Sequence, residues 1–384
     1  MEKGRRNFLK NSMALGIASL VTPYALDAAN ILSNSSEKLK ILILGGTSFL
    51  GPHQISYALE RGHEVTIFTR GKTVPKIHAE LFAKVEKLVG DREDNLESLK
   101  NRKWDIVIDN SGRKTKWTED TAQLLVDNVG YYMYTSSISV FYPFTGDDFS
   151  ENRALVTEIP KDIDESEKGT YEYGVMKATS EIATIKHFGA ERSIIIRPTL
   201  LVGPGDRTDR FPYWLARLEK GGDIIIPGSN SEVVQYIDVR DIAEWMIRLC
   251  ESKAAGIYNG SGPEFDMTIN AFVHGIHASF NSPVNFVQID DLQFLKENRI
   301  IGIQPWVIQL PQYAGMSKSD NSKAIKAGLT FRSLSETVEA TKKWWYSDAV
   351  SQERRNTILT NEGSFMKREK DILMKWKKQL TSNE

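Results

Sequence analysis

Apolar positions in the first half of the chain cluster in short segments, with scattered polar residues, rather than in strict alternation with polar ones. Ile41 to Leu44, Val65 to Phe68, Val85 to Val89, Trp104 to Ile108 and Tyr131 to Val140 are such runs, and Ser193 to Ile196 adds a sixth. A run without alternation predicts a strand buried on both faces, as parallel strands are. Between the runs lie helix-like stretches, from about Phe49 to Glu60, Thr118 to Asn128 and Thr170 to His187. Strand and helix in turn predict one parallel sheet with helices on both faces.

The runs end in small or polar residues: Gly45-Gly46-Thr47-Ser48 after the first, Thr69-Arg70-Gly71 after the second and Gly90-Asp91-Arg92 after the third. Asp109-Asn110-Ser111-Gly112 follows the fourth, and Thr135-Ser136-Ser137 lies within the fifth. In a doubly wound parallel sheet these ends share one carboxyl edge, where ligands bind. The first of them, Gly45-Gly-Thr-Ser-Phe-Leu-Gly51, is a glycine turn between strand and helix. Such a turn lets the backbone approach a pyrophosphate while the helix N-terminus offers free N–H groups and a positive dipole. Ser48 stands where the middle glycine of a G-x-x-G-x-x-G spacing would be.

At the end of the second run an acidic residue would bind both adenosine ribose hydroxyls of NAD, whereas an arginine pairs with the 2′-phosphate of NADP. Thr69 and Arg70 occupy that place and no carboxylate does, so the sequence leans to NADP over NAD. Asp91 either accepts from the adenine amino group or caps a turn. Tyr173 and Lys177 are four apart and so share a helix face. An ammonium beside a phenol favours phenolate and lowers its pKa from about 10. A tyrosine so placed can exchange a proton with a substrate hydroxyl.

With 384 residues the chain can bury a large core, and a net charge of -1 gives no reason to expect nucleic acid as a partner. The lone cysteine, Cys250, lies in an amphipathic stretch and is expected to be a buried structural thiol. One cysteine and six histidines without paired spacing argue against a metal site. The N-terminus carries Arg5-Arg6-x-Phe8-Leu9-Lys10, a modestly apolar stretch to Leu26 and small residues at Ala28 and Ala29. The stretch is short for a stable membrane span. Its pattern is that of a signal peptide and resembles the twin-arginine export signal, which implies the export machinery as a partner and a periplasmic location. Proteins that take that route are folded first. An exported redox enzyme therefore points to a tightly held cofactor, regenerated in each turnover.

Taken together, the motifs resemble the extended short-chain dehydrogenase/reductase family, the NAD-dependent epimerase/dehydratase group. The likeness rests on the glycine turn, Thr135-Ser-Ser-Ile-Ser-Val140, Tyr173-Gly-Val-Met-Lys177, Arg197-Pro-Thr-Leu-Leu-Val-Gly-Pro-Gly205, Gln235-Tyr-Ile-Asp238-Val-Arg-Asp241 and Asn321-Ser-Lys-Ala-Ile-Lys-Ala-Gly328. The resemblance implies an α/β, Rossmann-like fold: a doubly wound parallel sheet with a smaller C-terminal α/β substrate-binding region. It implies Tyr173 as acid/base, Lys177 on the nicotinamide ribose and Ser137 on the reacting oxygen. For the cofactor it implies Gly45, Thr47, Ser48, Phe49, Leu50 and Gly51 around the pyrophosphate, with Arg70, Asp91, Asn110 and Pro198 further along. The Gly-Gly-Thr-x-Phe-Leu-Gly variant is similar to chloroplast stem-loop-binding proteins, some of which bind or cleave RNA.

The expected organisation is a signal over 1–29, a linker over 30–38, a dinucleotide-binding domain over 39–200 with strands returning later, and a mainly substrate-binding region over 201–346. A helical tail over 347–384 completes it, packed on the body or on the second subunit of a homodimer. Strands are expected over Gly222 to Gly228 and Glu232 to Val239, and a threonine-capped helix within Asp266 to Phe272. Arg210, Phe211 and Trp214 either bind a polar ring or form a capped helix with a buried aromatic, and Gln235 is a further substrate candidate. Two enzyme readings result: an epimerase-like redox exchange on a sugar-like alcohol or ketone, and an NADPH-dependent reductase of a small carbonyl compound. A nucleotide-bound RNA-binding protein is the reading outside enzymes.

Overall fold

The computed structural model describes residues 37–361 and 364–383, so the expected export signal lies outside the described residues. Residues 38–384 form one compact unit. Its first half runs β1 (Lys40–Leu44), α1 (Leu50–Glu60), β2 (Glu64–Thr69), β3 (Glu86–Val89), β4 (Trp104–Asp109), α2 (Thr115–Leu125), β5 (Val129–Thr135), α3 (Glu165–Phe188) and β6 (Ser193–Pro198). The second half opens with β7 (Leu200–Val202), α4 (Arg210–Lys220), β8 (Gly222–Pro227), β9 (Val233–Val234), β10 (Tyr236–Asp238), α5 (Val239–Glu251) and β11 (Gly256–Gly260). It continues through β12 (Met267–Thr268), α6 (Ile269–His277), β13 (Val284–Ile289), α7 (Leu292–Glu297), α8 (Ser322–Lys326), α9 (Leu334–Trp345), α10 (Gln352–Thr360) and α11 (Phe365–Asn383).

Seven strands form one sheet in the order β11-β6-β5-β4-β1-β2-β3, each pair parallel. The apolar runs have a direct cause. Ile41 and Ile43 of β1 join the core under α1 and α5, while Leu42 and Leu44 join the core under α2 and α3. Alternate residues of a strand face opposite sides, and both sides here are covered. The fold is Rossmann-like. A third core belongs to residues of the second half: Phe211 and Trp214 of α4, Ile224 to Ile226 of β8, Phe272 of α6 and Trp345 of α9. Among the described residues no helix is long and apolar enough to cross a membrane, and no cluster of three metal-ligating side chains occurs.

Several boundaries differ from those read in the sequence. Helix α3 starts at Glu165 rather than Thr170, because Asp164 caps it by accepting from the Ser166 amide. The strand expected over Glu232 to Val239 is two short strands, and Val239 already belongs to α5, which Asp238 caps. The charged tail is two helices, not one. Phe365, Ile372 and Leu373 of α11 pack into the third core, and buried Glu369 pairs with buried Arg217 of α4, so the tail lies on the body of its own chain. The threonine cap is Thr268, whose hydroxyl accepts from the Ala271 amide at the start of α6.

Beneath the carboxyl edge sits a charge pair that the apolar pattern did not announce. Arg92, just after β3, forms a bidentate pair with Asp109 at the end of β4, and both are buried. Tyr132 donates to the same carboxylate at 2.8 Å, and Arg92 also donates to the Trp117 carbonyl and the Thr121 hydroxyl. Burial opposes charge on both groups, yet their attraction outweighs it, holding the Asp109 carboxyl below its ordinary range and the guanidinium above its own. Removing one partner strands the other. Arg92→Leu is therefore expected to cost about 3–5 kcal/mol in urea unfolding, while the double change Arg92→Met with Asp109→Leu recovers most of that loss.

Candidate active site

The glycine turn is fixed by two close approaches. Gly45 has φ +84°, and a Cβ there would lie 2.6 Å from Cβ of Ser111. A Cβ on Gly51 would collide with the Gly46 carbonyl, so only glycine lets α1 start this close to the end of β1. The Gly51 amide donates to the Ser48 carbonyl at 2.8 Å. No side chain caps the helix at Phe49. Its first amides thus face an anion-sized space at the positive end of the dipole, a donor set that fits a dinucleotide pyrophosphate. Ser48, in the middle glycine's place, accepts from Nη1 of Arg207 at 3.2 Å.

A cleft of about 430 Å³ opens beside the turn, lined by Gly45, Ser48, Phe49, Leu50, Asn110, Ser137, Tyr173, Lys177, Pro198 and Arg210 among others. Most of the sequence-predicted site residues are thus brought together. Helix α3 carries two of them and lies hard against the turn after β5, because Gly174 has no Cβ to meet the Ser139 carbonyl. Lys177 is buried, donates from Nζ to the Thr135 carbonyl at 2.8 Å and stacks over Tyr134 with its nitrogen 4.9 Å from the ring centroid. Its nitrogen is 5.9 Å from the centre of the Tyr173 ring. Ser137 accepts from the Ser139 amide at 3.1 Å, which fixes its rotamer at the cleft floor. Asn110 accepts from the Thr135 hydroxyl at 2.8 Å and donates to Gln54 at 2.6 Å, so the ends of β4 and β5 are laced together.

The electrostatics differ from the sequence expectation in one respect. The Tyr173 phenol is pushed up, not down: partial loss of solvent around it raises it, although the side chain as a whole is 45% exposed, and Ser137 with the charges of Arg210 and Arg113 only partly offset that. The Lys177 ammonium donates to the Thr135 carbonyl. Burial lowers the Lys177 pKa to about 8, against the pull of Asp109 and Glu181. Tyr171, two residues before Tyr173 on α3, is buried and packs edge-on against Tyr142 at 4.8 Å, away from the cleft.

Other predicted residues are placed elsewhere. Phe211 and Trp214 are fully buried in the third core, with the Trp214 indole donating to the Gln304 carbonyl. Their part in binding a ring is therefore corrected to packing, because α4 turns its apolar face inward and leaves only Arg210 at the cleft. Gln235 lines a different cavity and exchanges two hydrogen bonds with the Ser319 backbone. Asp91 bridges to Asn95 and accepts from the Glu93 amide, the geometry of a turn cap. Arg70 is exposed at the end of β2. Thr47 lines a third cavity of about 600 Å³ with Ser48, Phe49, Lys72, Lys76 and Arg207.

Thr199, which the family resemblance places with Pro198 near the nicotinamide, lines the cleft with its hydroxyl buried and without a protein hydrogen-bond partner. Two lysines were not singled out from sequence. Lys72 and Lys76 follow Arg70 closely enough that their clustering was a readable signal.

The depressed Lys177 predicts a pH effect of definite sign. The folded state disfavours the ammonium, so wild type carries a penalty at pH 7 that is relieved as pH rises from about 8 toward the unfolded value near 10.4. Lys177→Met lacks this penalty. Its melting temperature relative to wild type is expected to fall across that window, as calorimetry at a series of pH values would show.

Comparison with known proteins agrees with this fold. The chain is 29% identical over 248 residues to the chloroplast stem-loop binding protein of 41 kDa b of Arabidopsis thaliana, covering 61% of this chain and 61% of that protein. It thus spans about three fifths of that relative's length. It is 24% identical over 263 residues to the 2-alkyl-3-oxoalkanoate reductase of Stenotrophomonas maltophilia (strain K279a), 62% of this chain and 76% of the relative. The fold is similar to that of the UDP-glucuronic acid 4-epimerase from Bacillus cereus in complex with NAD, with a TM-score of 0.55, 18% identity and coverage of 79% of this chain and 98% of that one. The model of the NAD dependent epimerase/dehydratase family matches residues 41–260. That span is more than half of the chain and carries the glycine turn, Ser137, Tyr173 and Lys177, and the chain belongs to the NAD dependent epimerase/dehydratase family.

Proposed function

We propose that the enzyme carries out hydride transfer on a saccharide-like alcohol or ketone, in an epimerase-type redox exchange that returns the hydride within one turnover. The observation that carries this reading is the convergence of Ser137, Tyr173 and Lys177 at one cleft beside the open glycine turn. A nicotinamide dinucleotide held there would accept a hydride from an alcohol carbon and return it to the resulting carbonyl. Tyr173 takes the hydroxyl proton and gives it back, and Ser137 holds the reacting oxygen by a hydrogen bond. Lys177 holds the ribose and, once its ammonium turns from the Thr135 carbonyl toward the phenol, favours phenolate. Thr199 and Arg210 orient polar groups of the ligands.

The cofactor reading leans to NADP. Arg70, Lys72 and Lys76 supply cations near the end of β2 and Thr47 supplies a hydroxyl, whereas no carboxylate stands where NAD would be held by its ribose. Arg5-Arg6-x-Phe8-Leu9-Lys10 supports export, and an exported enzyme favours a bound cofactor that is regenerated over one consumed stoichiometrically. The named reductase relative supports the alternative of a small-carbonyl reductase. The stem-loop-binding relative supports RNA binding, against which the net charge of -1 weighs.

Three measurements test these readings. Mass spectrometry of the denatured enzyme is expected to release a nicotinamide dinucleotide; nucleotide-free protein that turns over only with added NADPH would favour the reductase. Tyr173→Phe is expected to lower kcat by about 10²–10⁴ with the substrate KM little changed. Fluorescence titration is expected to give tighter binding of NADP than NAD, with the preference narrowed by Arg70→Ala.

A further inference from the structure

The cleft that holds Tyr173 is one-sided in charge. Lys177 and Arg210 line it, and among the described residues no aspartate or glutamate does. Lys177 already donates to the Thr135 carbonyl. Arg210 is the first residue of α4 and exposed, and its Nε donates to the Thr208 hydroxyl at 2.8 Å. That hydroxyl donates in turn to the carboxylate of Asp206 at 2.6 Å, and Asp206 is fully buried. The stem of the guanidinium is thus tethered, while its two Nη groups have no acceptor among the described residues. Asp209, the carboxylate next to Arg210 in the chain, is taken by Arg354. An exposed arginine is ordinary by itself, but two observations tie this one to a ligand. Its charge reaches the Tyr173 phenol, as does that of Arg113, so the field over the acid/base is positive. The same cleft holds the Thr199 hydroxyl, buried and without a protein partner, which needs a bound molecule for its hydrogen bond.

We propose that the cleft takes a substrate carrying a carboxylate and that Arg210 holds it. The proposal rests on the saccharide reading given above and narrows it to a sugar acid. A guanidinium presents its outer N–H groups in a planar fork that matches both oxygens of a carboxylate. Such a contact is charge-assisted and fixes orientation as well as affinity. One free fork answers one carboxylate. The diphosphate of a sugar nucleotide brings two charges, and no second unengaged cation lines the cleft among the described residues. The carboxylate itself takes no part in the hydride exchange. It selects which carbinol carbon lies between Tyr173 and the nicotinamide, because a substrate held at one end by Arg210 and at its reacting oxygen by Ser137 has little freedom to turn.

Saturation-transfer NMR on the full chain with NADP present tests this. The probes are methyl β-glucopyranosiduronate and methyl β-galactopyranosiduronate, their neutral parents methyl β-glucopyranoside and methyl β-galactopyranoside, glucose 6-phosphate, and acetoacetate as a carboxylate without a sugar ring. At least one uronoside is expected to bind tighter than its neutral parent by about tenfold or more. Arg210→Gln is expected to abolish that difference while leaving the affinity for NADP unchanged. Equal binding of uronoside and parent, a difference that survives Arg210→Gln, tighter binding of glucose 6-phosphate than of either uronoside, or loss of NADP affinity in the variant overturns the proposal. So does silence of every probe. Silence of the sugars with Arg210-dependent binding of acetoacetate upholds the carboxylate anchor and removes the saccharide reading instead, so the two failures are told apart. Arg210 is exposed, and an unaltered melting temperature of the variant checks its folding.

Discussion

The active-site geometry depends on how near helix α3 comes to the turn after β5. Gly174 lies against the Ser139 carbonyl with no room for a methyl group, and one turn of helix separates it from Lys177, whose ammonium reaches the Thr135 carbonyl. The helix is thus held to the strand end at two heights, by a close backbone contact and by a buried charged donor. Tyr173, next to Gly174 in the chain, is thereby carried to the cleft that Ser137 also lines, and the backbone separation of the two is set by packing.

Around this contact the protein tolerates an unusual density of buried charge. Arg92 with Asp109 lies on one side of Lys177, and Arg197 with Glu181, paired at 2.7 Å, on the other. Glu181 also accepts from Ser136 at 2.5 Å. Each pair satisfies itself, so neither neutralises the lysine, whose charge is decided by burial against the residual fields of Asp109 and Glu181. The same networks pin the ends of β3, β4, β5 and β6, so the carboxyl edge is made rigid by the groups that tune it.

Much of this was legible in advance. The apolar runs gave the sheet because strands covered on both faces need not alternate, and Tyr173 with Lys177 stood out by their place after the fifth run and the family resemblance more than by a spacing that is common on helices. What could not be read was what a partner far along the chain decides. For Phe211 and Trp214 the sequence left ring binding and a buried aromatic equally open, and the second holds because α4 buries them against β8, α6 and α9, elements up to more than a hundred residues away. The rise of the Tyr173 phenol comes first from loss of solvent, which spacing does not specify. Asp164, by contrast, was a missed local signal: a cap followed by two glutamates in the first turn marks the true start of α3.

Helix α11 adds a constraint of timing. Glu369 and the apolar face of residues 365–373 complete the core that α4, β8 and α6 begin some 150 positions earlier. During synthesis the seven-stranded half can close once β11 has emerged, whereas the other half exposes Arg217 and its apolar surroundings until the final helix clears the ribosome. A nascent chain halted short of residue 365 would carry a nearly finished nucleotide fold joined to an open hydrophobic face, the kind of surface that chaperones hold and proteases find.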